Sequence, residues 1–139
     1  MQDGTFSTLG HLHETGTGRG NAFAANCPTR RLLDRIADKW SVLILLTLGA
    51  GEMRFNGLKR RVEGVSQKML SQTLRSLERD GLVARAIEPT VPVTVTYSIT
   101  PLGRGLLLAL RSMIDWAETC MIEVAAAQRV YDARKASEA

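Results

Sequence analysis

The chain has 139 residues, 45% of them hydrophobic, and a net charge of +4. That length suits one domain with a single core, needing neither disulfides nor metal. The longest uncharged apolar stretch, between Lys39 and Glu52, falls far short of the ~20 residues a membrane helix requires.

Residues 1–26 are rich in Gly and Thr and show no periodicity, so they read as a disordered arm. They hold one cation, Arg19, and two acids, which does not suit an arm that grasps DNA. No apolar run follows a cationic start, so no signal peptide is expected and the protein is read as cytoplasmic. The only histidines, His11 and His13, lie in this arm as a solvated pair. Neither Cys27 nor Cys120 has a Cys or His at zinc-ligand spacing, so no metal or cofactor is expected.

Cys27-Pro28-Thr29 predicts a helix start, because proline fits a first turn whose donors are unpaired. The helix covers Thr29 to Ala37, with Leu32, Leu33 and Ile36 inward. Cys27 then stands at a helix N-terminus beside Arg30 and Arg31. Dipole and cations favour a reactive thiolate there. A small buried apolar residue is the other reading, and position alone favours it. Asp38 to Ser41 opens a second helix, to about Leu48, that is apolar all round and so predicted to be wholly buried. Trp40 closes one end of that core, and Gly49 and Gly51 stop the helix.

Met53 to Phe55 reads as a short extended piece before a third helix, Asn56 to Val62. Gly64 breaks it. Ser66 caps a fourth helix, Ser66 to Asp80. Two short helices joined through a glycine-containing turn make a helix-turn-helix. At 100° per residue, Lys68, Ser71, Gln72, Arg75 and Arg79 share one face of the fourth helix. Leu70, Thr73, Leu74 and Leu77 form the opposite, anchoring face. Arg and Lys read guanine and Gln reads adenine in the major groove, so the first set is the base-reading candidate. Arg54, Lys59, Arg60, Arg61, Ser66 and Gln67 are candidates for phosphate contact, since the preceding helix crosses the backbone in this geometry.

Gly81 ends the reading helix. Leu82 to Glu88 and Pro92 to Ile99 alternate as strands around a turn held by Pro89 and Pro92. The hairpin is a wing, with Arg85, Thr90 and Thr94 as DNA-contact candidates. Glu88 argues against a strong phosphate contact at its tip. Thr100-Pro101 opens a last helix, to about Tyr131, and the polar residues beyond it are expected to fray. Leu106, Leu110, Met113, Ala117, Cys120 and Val124 recur on it at three- and four-residue spacing. So long a stripe predicts a dimerisation helix, against the alternative of packing along its own domain.

Charge agrees with this division. Residues 27–100 hold twelve cations against seven acids, while residues 101–139 hold five of each. The basic excess surrounds the reading helix, the footprint of a polyanion partner.

Taken together, Cys27-Pro28, Asp38-Lys39-Trp40, Arg54 to Leu58 (RFNGL), Ser66 to Val83 (SQKMLSQTLRSLERDGLV) and Tyr97 to Gly103 (YSITPLG) resemble the HxlR-type winged helix-turn-helix regulators. The resemblance implies a mainly helical fold with a small β-hairpin wing over 27–125, dimeric through the long C-terminal helix, with 126–139 as helix end and tail. It implies a homodimer on a pseudo-palindromic operator in double-stranded DNA, repressing or activating neighbouring genes. It also implies a response to oxidants, quinones or electrophiles, for which Cys27 occupies the sensor position. No second cysteine near the central helix offers itself as a resolving partner. A bridge between the two Cys27 of a dimer, a bridge to Cys120 and a small-thiol adduct stay open. Control by a non-covalent ligand, in a pocket that Trp40, Trp116 and methionines could line, is the alternative mode. A winged-helix module that binds protein instead is disfavoured, since the cationic face carries no aromatic anchor. A cysteine peroxidase is disfavoured because no His or carboxylate can be placed beside Cys27.

Overall fold

The computed structural model describes residues 19–138. His11, His13 and most of the arm expected over 1–26 lie outside the described residues. The elements run α1 (Pro28–Ile36), α2 (Lys39–Gly49), β1 (Met53–Arg54), α3 (Phe55–Arg61), α4 (Gln67–Arg79), β2 (Val83–Glu88), β3 (Thr94–Ile99) and α5 (Pro101–Glu138). Every predicted element is present, with ends shifted by a residue or two except at the C-terminal end of α5.

Leucines at helical spacing build the core. Ile44, Leu45 and Leu48 of α2 meet Leu58 of α3, Leu70, Leu74 and Leu77 of α4, and Leu110 of α5. Burying each such side chain contributes about 1.5–3 kcal/mol. The expectation that α2 is buried all round is corrected: Leu43 is exposed and Val42 and Leu46 are half-buried. One domain of this size covers only one face of α2. Trp40 packs against the core edge as expected, 3.7 Å from where a side chain on Gly64 would begin.

The three-stranded antiparallel sheet has the order β1-β3-β2. Met53 pairs with Tyr97 and Tyr97 with Arg85, while Arg54 pairs with Thr96 and Thr96 with Ala86. Residues opposite each other across a sheet share a face. One face therefore carries Val83, Arg85 and Tyr97, and the other carries Arg54, Thr96 and Glu88.

The base of the wing is locked at one junction. The reading helix ends where Gly81 takes φ 78° and the Leu82 N–H donates to the Leu77 carbonyl, 2.9 Å, a glycine-terminated cap. The Thr100 hydroxyl donates to the Gly81 carbonyl, 2.6 Å, and accepts from the Gly103 N–H, 3.0 Å. Thr100 thus caps α5 and ties it to the end of α4.

α5 spans 38 residues, about 57 Å at 1.5 Å per residue. The fraying expected after Tyr131 does not occur; the helix continues to Glu138. Ala133, Arg134, Lys135, Ala136 and Glu138 dominate that stretch and are strong helix formers, with no Gly or Pro to break it. Lys135 and Glu138 pair at 3.9 Å. Among the described residues no helix is long and apolar enough to cross a membrane.

Candidate nucleic-acid interface

α4 is a rail fixed from one side. Ser66 accepts from the Met69 N–H at 3.0 Å and caps it. Leu70, Thr73, Leu74 and Leu77 are buried, and the Thr73 hydroxyl is turned back onto the Met69 carbonyl, 2.8 Å. The exposed crest is Lys68, Gln72, Arg75 and Arg79, with Ser71 half-buried on its flank. All five predicted base-reading residues therefore lie on the outward side of one helix.

The crest is flanked by two clefts of different character. On one side Asp38 and Ser41, at the start of α2, face Gln72 and Ser76 across about 250 Å³. The Asp38 carboxylate caps α2 by accepting from the Ser41 N–H, 3.2 Å. On the wing side, Ser71, Arg75 and Glu78 of α4 face Arg85 and Tyr97 of the sheet across about 320 Å³. Phosphate is attracted to the side with two cations and not to the side whose charge is an acid.

The predicted phosphate-contact residues divide. Arg54 lies on the sheet face opposite Arg85, and it meets Arg60 in a separate groove of about 840 Å³ between α3 and the wing. Glu52 and Glu88 line that groove too, so its charge is mixed. Lys59 and Arg61 are exposed elsewhere on α3, and Gln67 is exposed on the first turn of α4. The wing threonines are engaged within the tip: Thr90 donates to the Pro92 carbonyl, 2.7 Å, and Thr94 to Glu88, 3.3 Å. Their hydroxyls shape the turn, and among the wing candidates Arg85 alone carries charge. Tyr97 and Glu78 escaped the sequence reading. Strand alternation placed Tyr97 on a face, but only the register with Arg85 shows what it meets.

Cys27 is 6% exposed. Residues 21–26, expected to be part of the arm, form successive turns, with the Ala24 N–H donating to the Asn21 carbonyl and the Cys27 N–H to the Ala24 carbonyl, both 3.1 Å. These turns bring the Asn21 N–H to the Cys27 Sγ, 3.3 Å. The Thr29 hydroxyl holds the thiol below its ordinary range, helped by the main-chain N–H groups of Asn21, Thr29 and Arg30, while burial opposes the shift. Both sequence readings of Cys27 meet here: the residue is buried, and it is also biased toward thiolate.

The apolar stripe of α5 is split. Leu107 and Leu110 are buried against the wing domain and Leu106 is half-buried. Met113, Ala117 and Met121 are exposed, with Cys120 and Val124 half-buried. Trp116 is exposed as well.

A family model described as HxlR-like helix-turn-helix matches residues 35–124. YtfH of Escherichia coli (strain K12), an HTH-type transcriptional regulator, is 45% identical over 107 residues, covering 77% of this chain and 85% of its own. The solved structure of ytfH from Salmonella typhimurium superposes with a TM-score of 0.75 at 42% identity, covering 80% of this chain and 99% of that one. The redox regulator HypR in its reduced form superposes with a TM-score of 0.66 at 34% identity, covering 71% and 98%.

Proposed function

Since the chain belongs to the HxlR-like helix-turn-helix family and is a transcriptional regulator of that type, we propose that it works as a homodimer on a pseudo-palindromic operator, with Cys27 as its oxidant- or electrophile-sensitive switch. The exposed crest of α4 over a fully buried apolar base carries this reading. Lys68, Ser71, Gln72, Arg75 and Arg79 form the face that enters the major groove, where amides and guanidinium groups discriminate base edges. Lys59 and Arg61 of α3, with Arg54 and Arg60 in their groove, serve the phosphates that position but do not specify. Ser66 and Gln67 lie at the N-terminus of α4, where helix N–H groups favour an anion.

The exposed apolar side chains of α5 beyond its own domain support a second copy of this chain as partner. A contiguous apolar face on a soluble helix calls for a cover. With two-fold symmetry the reading helices stand about 34 Å apart or a multiple of it. Two features support Cys27 as the switch: the hydrogen bonds that bias it to thiolate and the likeness to a redox regulator.

Fluorescence anisotropy of a labelled duplex from upstream of the protein's own gene tests this. The reduced protein should bind with steep salt dependence and diamide should weaken binding, with Cys27→Ser insensitive. Binding that is equal in both states would remove Cys27 from the mechanism, and absence of binding with thiols reduced would remove this duplex as operator.

A further inference from the structure

We propose that the cleft between α4 and the base of the wing is a clamp for one DNA backbone phosphate, gripped from two sides by Arg75 and Arg85 and tuned by Glu78. The inference rests on the DNA-binding reading above. It gives Arg75 and Ser71 a ligand different from the base edges expected of them.

Four observations carry it. Arg75 comes from the helix and Arg85 from the sheet, yet both line the same cleft of about 320 Å³. No ion pair among the described residues engages either guanidinium. Two cations converging without a contacting counter-ion repel each other, and an anion placed between them relieves that repulsion. Besides Glu78, the remaining polar residues of the lining are Ser71 and Tyr97, whose hydroxyls can donate to phosphate oxygens as side chains commonly do on DNA. Tyr97 is the cross-strand partner of Arg85, so the two side chains stand on the same face of the sheet. Glu78, in the same cleft, sits one turn along α4 from Arg75. There it competes with the phosphate for the guanidinium groups and sets the strength of the clamp.

The opposite flank makes the assignment directional. It holds Asp38 and lacks a cation in its lining, so the strand beside the wing is the one gripped. The wing tip adds no cation either: residues 88–94 contain Glu88 and no Lys or Arg. The wing therefore holds DNA at its base.

The test is the salt dependence of binding to a random-sequence 30-base-pair duplex, read by anisotropy with thiols reduced. Each phosphate neutralised contributes about 0.9 to the slope of log K against log salt. Arg75→Ala and Arg85→Ala should each weaken binding, and the double variant should lower the slope by about 0.9, because both residues serve one phosphate. Glu78→Gln should tighten binding several-fold with wild-type Arg75 and Arg85, and leave the double variant unchanged. All are exposed positions, so unchanged thermal unfolding serves as the folding control. A drop of about 1.8 in the double variant, or no drop, overturns the clamp, as does relaxed base preference in Arg75→Ala with undiminished binding to this duplex. Failure of the wild type to bind the duplex at any salt instead overturns the DNA-binding reading on which the clamp rests.

Discussion

Replacing Gly103 and Gly105 by alanine, one at a time, tests the junction that orients the wing against α5. Both lie in the first turns of one helix, so their propensity gain is alike, up to about 1 kcal/mol. Their surroundings differ. A methyl on Gly103 would press into the Leu82 carbonyl oxygen and lie 2.8 Å from Ile99 Cγ1 and 3.1 Å from the Leu82 carbonyl carbon. Two of these three atoms are backbone, at the locked base of the wing, and cannot swing aside. Over-packing of this kind costs about 1–3 kcal/mol or more, which exceeds the propensity gain. A methyl on Gly105 meets nothing within 4 Å. We expect Gly103→Ala to lose about 2 kcal/mol and Gly105→Ala to gain up to about 1 kcal/mol. At roughly 3–5 °C per kcal/mol for a domain of this size, the melting points part by about 9–15 °C. Circular dichroism melts at equal protein concentration, which matters if the chain associates, read the difference. Equal melting points, or a stabilised Gly103→Ala, would show that the contact of α5 with Leu82 and Ile99 is looser than its geometry states.

Gln72→Ala should weaken operator binding by about 1–3 kcal/mol while leaving a random duplex unaffected; equal losses on both would take Gln72 away from the bases. Lys59→Ala should weaken every duplex alike and lower the salt slope by about 0.9, and an unchanged slope would place Lys59 off the phosphates. The lowered pKa of Cys27 has a definite sign. The native state prefers thiolate more than the unfolded chain does, so the added stability is present above the unfolded value of about 8.5 and is lost as pH falls through the folded value. Alkylation of Cys27 by iodoacetamide should reach half-maximal rate at a lower pH in the native protein than in denaturant, and Thr29→Ala should move that midpoint up; a midpoint insensitive to Thr29 would contradict the assigned cause. Trp116→Asp should shift the sedimentation coefficient from dimer to monomer and leave the melting of the wing domain in place; an unmoved dimer would put the partner surface elsewhere.

Helical spacing and glycine stops were enough to place every element, because leucines at 70, 74 and 77 and the capping residues Ser66 and Thr100 act locally. The crest of α4 was legible for the same reason. What the sequence could not show depends on long-range register. Arg54 and Arg85 both read as cations near a wing, yet pairing with Thr96 and with Tyr97 sends them to opposite faces. Leu110 and Met113 share a periodic stripe, but whether each meets its own domain depends on where the wing domain ends against α5. The end of α5 is hidden in the sequence because polarity there suggests fraying, while most of the same residues are good helix formers that carry the helix to Glu138.

The energetics also decide which part of the molecule can act as a switch. α4 is anchored by Leu70 and Leu77 at 0% exposure and Leu74 at 2%, so melting it means opening the core. α1 differs: it has nine residues, too few to be stable alone, and Leu32 and Leu33 are 43% and 45% exposed. The turns that precede it close on the Cys27 sulfur, which accepts from the Asn21 N–H. An electrophile bonded to that sulfur adds bulk at a buried residue and weakens an acceptor of the surrounding N–H groups. For the switch proposed above, the expected response is opening of the turns over 21–26, whose hydrogen bonds are few and lie outside the core. α1 packs on α2, and the first residues of α2, Asp38 and Ser41, form one wall of the cleft beside Gln72. The thiol thus stands just before a short, partly exposed helix that packs on α2, whose first residues border the crest of the reading helix.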